Sequence, residues 1–135
     1  MAAPEDLVSE VELGESLMSG DVKITVELDG TVTKGQLGAL ADGETWPPHA
    51  DGAGAGIFDG VFLKAGDDGD FVPLLKFGLV KVLAGGIVAA GDPVASDTNG
   101  KAIAATTGVG GGQAMMSAGE EDDEFIIFVG IQCTI

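Results

Sequence analysis

The sequence predicts an all-β fold: a small single domain of short strands joined by turns, with a separate N-terminal arm and long glycine-rich loops. Three observations predict it. Apolar and polar residues alternate with a period of two from Asp21 onward, Asx-Gly pairs begin at 29, 42, 51, 59, 68 and 99, and the turns between them leave little room for helix. At 135 residues and 45% hydrophobic content the chain is long and apolar enough to bury one core without metal or disulfide help.

Residues 1–20 form the arm. Its acids, Glu5, Asp6, Glu10, Glu12 and Glu15, are interleaved with Leu7, Val8, Val11, Leu13, Leu17 and Met18. Leu7, Val8, Val11 and Met18 fit one helical face, whereas Val11 and Leu13 alternate with acids as in an edge strand, so periodicity leaves the state open. The β-rich domain spans 21–135. In "DVKITVEL" Val22, Ile24, Val26 and Leu28 alternate with Lys23, Thr25 and Glu27, which predicts a strand. Asp29-Gly30 then predicts a hairpin turn with "TVTK" as its return.

Further strands are expected at "GVFLK", "FVPLL" (71–75), "GLVKVLA" (78–84), "PVAS" (93–96), "KAIAA" (101–105) and "EFIIFVGI" (124–131). Pro73 marks its strand as an edge or bulged one, since proline has no amide proton for the ladder. Gly91-Asp92 and Asn99-Gly100 are read as structural turns, like Asp29-Gly30. Two long loops are expected, "DGETWPPHADGAGAG" (42–56) and "TTGVGGGQAMMSAGEEDDE" (106–124).

Charge narrows the function. With 22 acidic residues, six lysines and no arginine, the formal net charge is −16. A nucleic-acid surface gains affinity by replacing counterions with Lys or Arg, so no nucleic-acid partner is expected, and no anionic membrane surface either. A salt-rich habitat and an ordinary acidic surface both fit this balance. No apolar run approaches a membrane span, and the acidic start "MAAPEDLVSEVELGE" is unlike a signal peptide, which predicts a soluble, unsecreted chain.

Reactive groups are sparse. His49 is the single histidine, so no His pair or metal triad forms around it, and it reads as a solvent-facing loop residue. "GDDGD" (66–70) and "EEDDE" (120–124) lack the alternating acids of a calcium loop and read as a turn and a solvated charge run. "GVGGGQ" (108–113) is followed by no Gly-Lys-Ser/Thr, and no Gly-x-Ser-x-Gly elbow occurs. Cys133 reads as a small buried hydrophobe. No enzyme activity, cofactor or metal is expected.

Two families share features with the chain. The hairpin "VASDTNGKAIAA" is broadly similar to lipoyl and biotinyl carrier domains, with Lys101 in the place of the modified lysine, although there the lysine sits at the turn itself. "GLVKVLAGGIVAAGDPVASDTNGKAIAAT" resembles a pattern of tailed-virus capsid decoration, or cement, proteins: a Val/Leu strand ending in Ala-Gly, a Gly-Asp step, a strand, an Asn-Gly turn and an Ala-rich return. The order of arm, first hairpin, aliphatic middle and closing "FIIFVGI" agrees, over roughly residues 20 to 131.

The cement resemblance implies a β-barrel or β-tulip-like decoration domain and a non-enzymatic role. It implies a protein made in the host cytoplasm that ends on the outer capsid surface of the virion. There it would bind the major capsid protein and stabilise the expanded head, commonly as a homotrimer. Leu7, Val8, Val11, Leu13 and Leu17 become expected capsid contacts, the arm adding a strand to a capsid sheet edge while being mobile in the free protein. Trp46, in a loop with Pro47 and Pro48, is expected either to anchor an interface or to pack against its own barrel.

Overall fold

The computed structural model describes residue 13 and residues 20–41, 46–106 and 109–134, and among these every regular element is a strand. Strand β1 (Val22–Leu28) forms from the predicted alternation, with burial deepening along it: Val26 and Leu28 are buried, Ile24 half-buried and Val22 exposed. The strands expected at 71–75 and 78–84 are one continuous 13-residue element, β5 (Phe71–Leu83). Gly78 lets the ladder pass without a break, since its φ of 147° and the side chain of Asp21 packed over it exclude a larger residue.

The first half of β5 closes a five-stranded barrel. It pairs antiparallel with β1 on one side and with β4 (Gly60–Phe62) on the other. β4 pairs with β2 (Leu37–Leu40), β2 with β3 (His49–Gly52), and β3 returns parallel to β1. Val26, Leu28, Val32, Ala50, Phe62, Val72 and Leu74 fill the interior.

The second half of β5 begins the same arrangement again. It pairs antiparallel with β9 (Glu124–Thr134), β9 with β8 (Val109–Ala114), β8 with β6 (Pro93–Ser96), and β6 with β7 (Ala102–Ala104). A parallel bridge, Ala84 to Ala102, completes the circuit at the position where β3 meets β1 in the first unit.

Local bonds repeat with the topology. Thr33 N–H donates to Gln36 Oε1 at 3.0 Å and Ala89 N–H to Asp92 Oδ2 at 3.0 Å, each across a left-handed glycine, Gly35 (φ 87°) and Gly91 (φ 90°). Leu28 N–H donates to Asp70 O and Ala84 N–H to Asp123 O, both at 2.8 Å. The bridges Val32–Gly66 and Val88–Ala118 also correspond. The domain is therefore a tandem pair of like units that share one strand. Leu37, Phe58, Val61 and Leu75 of the first unit pack with Val80, Val82, Phe125 and Ile127 of the second in a single apolar cluster.

Several expectations are corrected. Asp29-Gly30 is not a hairpin turn, and "TVTK" does not pair back on β1. Both edges of β1 are already occupied, by β5 and β3, so the chain runs on to bridge Gly66 at Val32 and does not pair back on β1. The loop at 42–56 contains β3, and the glycine-rich loop at 106–124 contains β8. Pro73 lies on a paired strand with no register shift at its position. Its carbonyl accepts from Leu63 N–H at 3.1 Å, so its missing donor faces the same side, just past the end of β4, where no ladder bond is lost. In Asn99-Gly100 only Gly100 is left-handed (φ 75°), and Asp97 organises the turn by accepting from the N–H groups of Asn99 and Lys101.

Gly100→Val is expected to destabilise the fold by at least the roughly 1–2 kcal/mol that a left-handed backbone costs an L-residue. A Cβ there also meets Gln36 Cγ at 2.6 Å. Equilibrium denaturation checks it, and an unchanged midpoint would remove the turn's role.

Candidate interaction surface

Of the predicted interface residues, Leu13, Trp46, Pro47 and Pro48 are among those described. Trp46 is 86% exposed, so its indole packs on no part of its own barrel. The loop that carries it is anchored, because Glu27 N–H in β1 donates to Pro48 O at 2.9 Å, and Pro47 and Pro48 are half-buried. Of the predicted arm contacts, Leu7, Val8, Val11 and Leu17 lie outside the described residues. Leu13 is described and half-buried, and it lines a pocket together with Thr33, Lys34, Gln36, Leu83 and the Asn99–Lys101 turn.

The turns assigned from the sequence do separate jobs. Leu37 N–H donates to Gly100 O at 2.9 Å, which docks the turn of the second unit onto the first. Gly91 and Asp92 make the capped turn described above. Gly30 lies close over Asp51, and Asp29 Oδ1 lies 2.7 Å from His49 Nδ1. Gln36, which sequence reading passed over, proves central to this junction. The signal available was its place directly after a glycine, matching Asp92 after Gly91.

His49 is a strand residue rather than a loop residue. It opens β3 opposite Glu27 on the parallel β1–β3 ladder, with Glu27 Oε1 3.9 Å from Nε2. The hydrogen bond to Asp29 raises the imidazole pKa above its ordinary value near 6.5. Burial opposes this, and the charges of Asp29, Glu27 and Asp68 add to the rise. A raised folded-state pKa means a contribution to stability that is complete below the unfolded value and lost as pH rises through the folded one. The seam is therefore expected to loosen from about pH 6.5 upward, and His49→Gln should flatten that part of the stability–pH curve. Thermal melts at constant ionic strength test it, and identical slopes in both proteins would count against the pairing.

Lys101 follows the turn, as expected, and its ammonium is held by Asp122 Oδ1 at 2.6 Å and Glu121 Oε1 at 3.4 Å. The Asp122 hydrogen bond, assisted by Glu121, keeps it protonated above the usual lysine range. A carrier lysine stands at the apex of a turn and must lose its proton to be acylated, so nothing in this geometry favours the carrier reading. Among the described residues no group of three or more His, Cys, Asp or Glu side chains is arranged to hold a metal ion, and no helix is long and apolar enough to cross a membrane.

The fold and surface define a class of protein: a tandem β-barrel module from an acidic chain, with an exposed tryptophan. No family model matches the chain, and no curated protein matches it. Among solved structures it is similar to the head fiber gp8.5 N base of bacteriophage phi29, with a TM-score of 0.65 and 22% identity, covering 81% of this chain and 93% of that one. This likeness establishes the shared fold.

Proposed function

We propose that the chain is a virion structural protein that binds the outer face of a tailed-virus capsid lattice and stabilises the expanded head without catalysis. The observation that carries the reading is the shared fold with the base of a phage head fiber, which spans nearly all of that base. The sequence resemblance to cement proteins points the same way independently. The partner is the major capsid protein, and the working form is a homotrimer placed where capsid subunits meet. Many copies, each weakly held, then act together on the lattice.

Charge sets the conditions. Subunits of formal charge −16 repel one another, and that repulsion shrinks as the Debye length falls from about 10 Å at 0.1 M salt to about 3 Å at 1 M. Assembly should therefore strengthen with salt.

The test is made on purified particles. The protein should co-purify with capsids and be lost from them in stoichiometric steps on mild denaturation, and its absence from particles would overturn the reading. Deleting residues 1–18 should leave the barrels folded and sharply lower capsid occupancy. Full occupancy by the truncated chain would take the arm out of the interface.

A further inference from the structure

The wall of the first barrel is covered on one side and open on another. Val26, Leu28, Ala50, Val72 and Leu74 point into its interior, so by alternation Thr25, Glu27, His49, Phe71 and Pro73 point out. Leu37, Val61 and Leu75 also lie outside that interior, on the β2–β4–β5 side, and the second unit covers them. Among the described residues nothing comparable covers the β5–β1–β3 side, where Phe71 is 59% exposed and Thr25 is exposed too. In the second unit the matching ladder is β5–β9, and there Lys81 and Ile126, on its outer side, are buried.

Two large aromatic residues flank this open face. Phe71 and His49 pair with Glu27 from opposite sides. Their Cα atoms are therefore about 10 Å apart, two strand spacings of roughly 4.8 Å. Trp46 stands two residues before Pro48, whose carbonyl accepts from the same Glu27. At 86% exposure its indole is the most exposed large hydrophobic side chain among the described residues. Apolar area with so little contact in its own chain is what an interface hot spot presents before its partner arrives.

The polar groups between the aromatics set the sign of what can dock. His49 Nδ1 lies 2.7 Å from Asp29 Oδ1 and Nε2 lies 3.9 Å from Glu27 Oε1, and Asp68 acts on the ring through its charge. Three carboxylates against one imidazolium leave two negative charges uncompensated when the ring is protonated, and three when it is not. Lys23, the one lysine of β1, lies at the other end of the strand and is paired with Asp21 at 3.6 Å. A cation placed on this face meets carboxylates at the centre and aromatic rings at the sides. A second copy is a poor match, since a chain with 22 acidic residues, six lysines and no arginine repels itself.

We infer that the outer face of β5, β1 and β3, between Phe71 and Trp46, is a docking site for an arginine-bearing segment of a partner protein, its guanidinium seated on Glu27 and Asp29 and flanked by the two aromatic side chains. Arginine suits the face better than lysine, because its planar head bonds a carboxylate through two N–H groups and stacks on an aromatic ring at the same time. The inference fixes the chemistry of a partner and does not depend on the virion reading.

The test uses the full, isotope-labelled chain in solution, without capsids. It is titrated with acetyl-Gly-Arg-Gly-Arg-Gly amide and, in parallel, with the same peptide carrying citrulline, which keeps the shape of arginine without its charge. The chain has a single tryptophan, so its indole N–H resonance reports Trp46 alone. The arginine peptide should shift that resonance and the amides of Glu27, His49 and Phe71 saturably, and more than the amides of the acidic run 120–124. The citrulline peptide should bind about tenfold more weakly, and both Trp46→Ala and the pair Glu27→Gln with Asp29→Asn should weaken the arginine peptide by about tenfold. Trp46→Ala changes an exposed position, so it keeps the test valid should the carboxylate pair misfold. Equal binding of the two peptides, an unmoved indole, shifts no larger here than along 120–124, or unchanged affinity in Trp46→Ala would each overturn the inference. Binding to this face should weaken with salt, opposite to the assembly expected of like-charged subunits, so the two readings fail separately.

Discussion

Phe62→Ala is expected to lower stability by about 3–5 kcal/mol, the cost of removing a buried aromatic ring from a close-packed site. Phe62 is fully buried in the first barrel, and its ring occupies the space that a side chain at position 38 would take: a Cβ on Gly38 would stand 2.6 Å from Phe62 Cε2. The ring and the glycine are one packing solution across β2 and β4, so the cavity cannot be refilled by a shift of either strand. Because the two units share β5 and an apolar interface, the loss should appear as one cooperative transition of the whole domain. Urea titration followed by tryptophan fluorescence and circular dichroism would test both points. A loss below about 1 kcal/mol would contradict the packing argument, and separate transitions for the two probes would contradict the cooperativity.

Gly112→Val is expected to prevent normal folding of the second unit. Position 112 lies inside β8, and a Cβ there would stand 2.5 Å from the backbone oxygen of Phe128 on the paired strand β9. A backbone atom cannot swing aside as a side chain can, so β8 and β9 would have to separate, breaking the ladder that joins β6 to the rest of the sheet. Gly112→Ala introduces the same Cβ and should be nearly as damaging, which distinguishes steric exclusion from the β-branching of valine. Soluble yield and the dispersion of amide resonances read the outcome, and a native-like spectrum for the alanine variant would refute the close approach.

Much of the β architecture was legible along the chain. The alternation in "DVKITVEL" became β1 with the expected face inward, "PVAS" and "KAIAA" became β6 and β7, and the closing apolar run became β9. The turn glycines at 69, 91 and 100 do take positive φ. The glycines of "VGGGQA" misled, because the residue that marks a loop also marks a strand whose neighbours come too close for a Cβ. His49 read as a loop residue because β3 is only four residues long and carries a glycine, too short a segment for periodicity to register. The repeat of the two units went unread because it is kept by hydrogen-bond geometry and not by residue identity: Gln36 and Asp92 make the same bond with different side chains.

The sequence by itself determined which segments are extended, some of the left-handed turns (at Gly69, Gly91 and Gly100), and how acidic the chain is. Each of these is set within a few residues, by side-chain alternation, by the steric freedom of glycine, or by simple charge count. Only the tertiary structure decided that β1 runs parallel to β3, that one long strand serves two barrels, and that Lys81 and Ile126 are buried on an outward face. Those outcomes depend on which distant strands meet. Backbone hydrogen bonding is blind to sequence, and many pairings satisfy it equally, so the choice rests on the packing of cores that exist only after the chain has closed on itself.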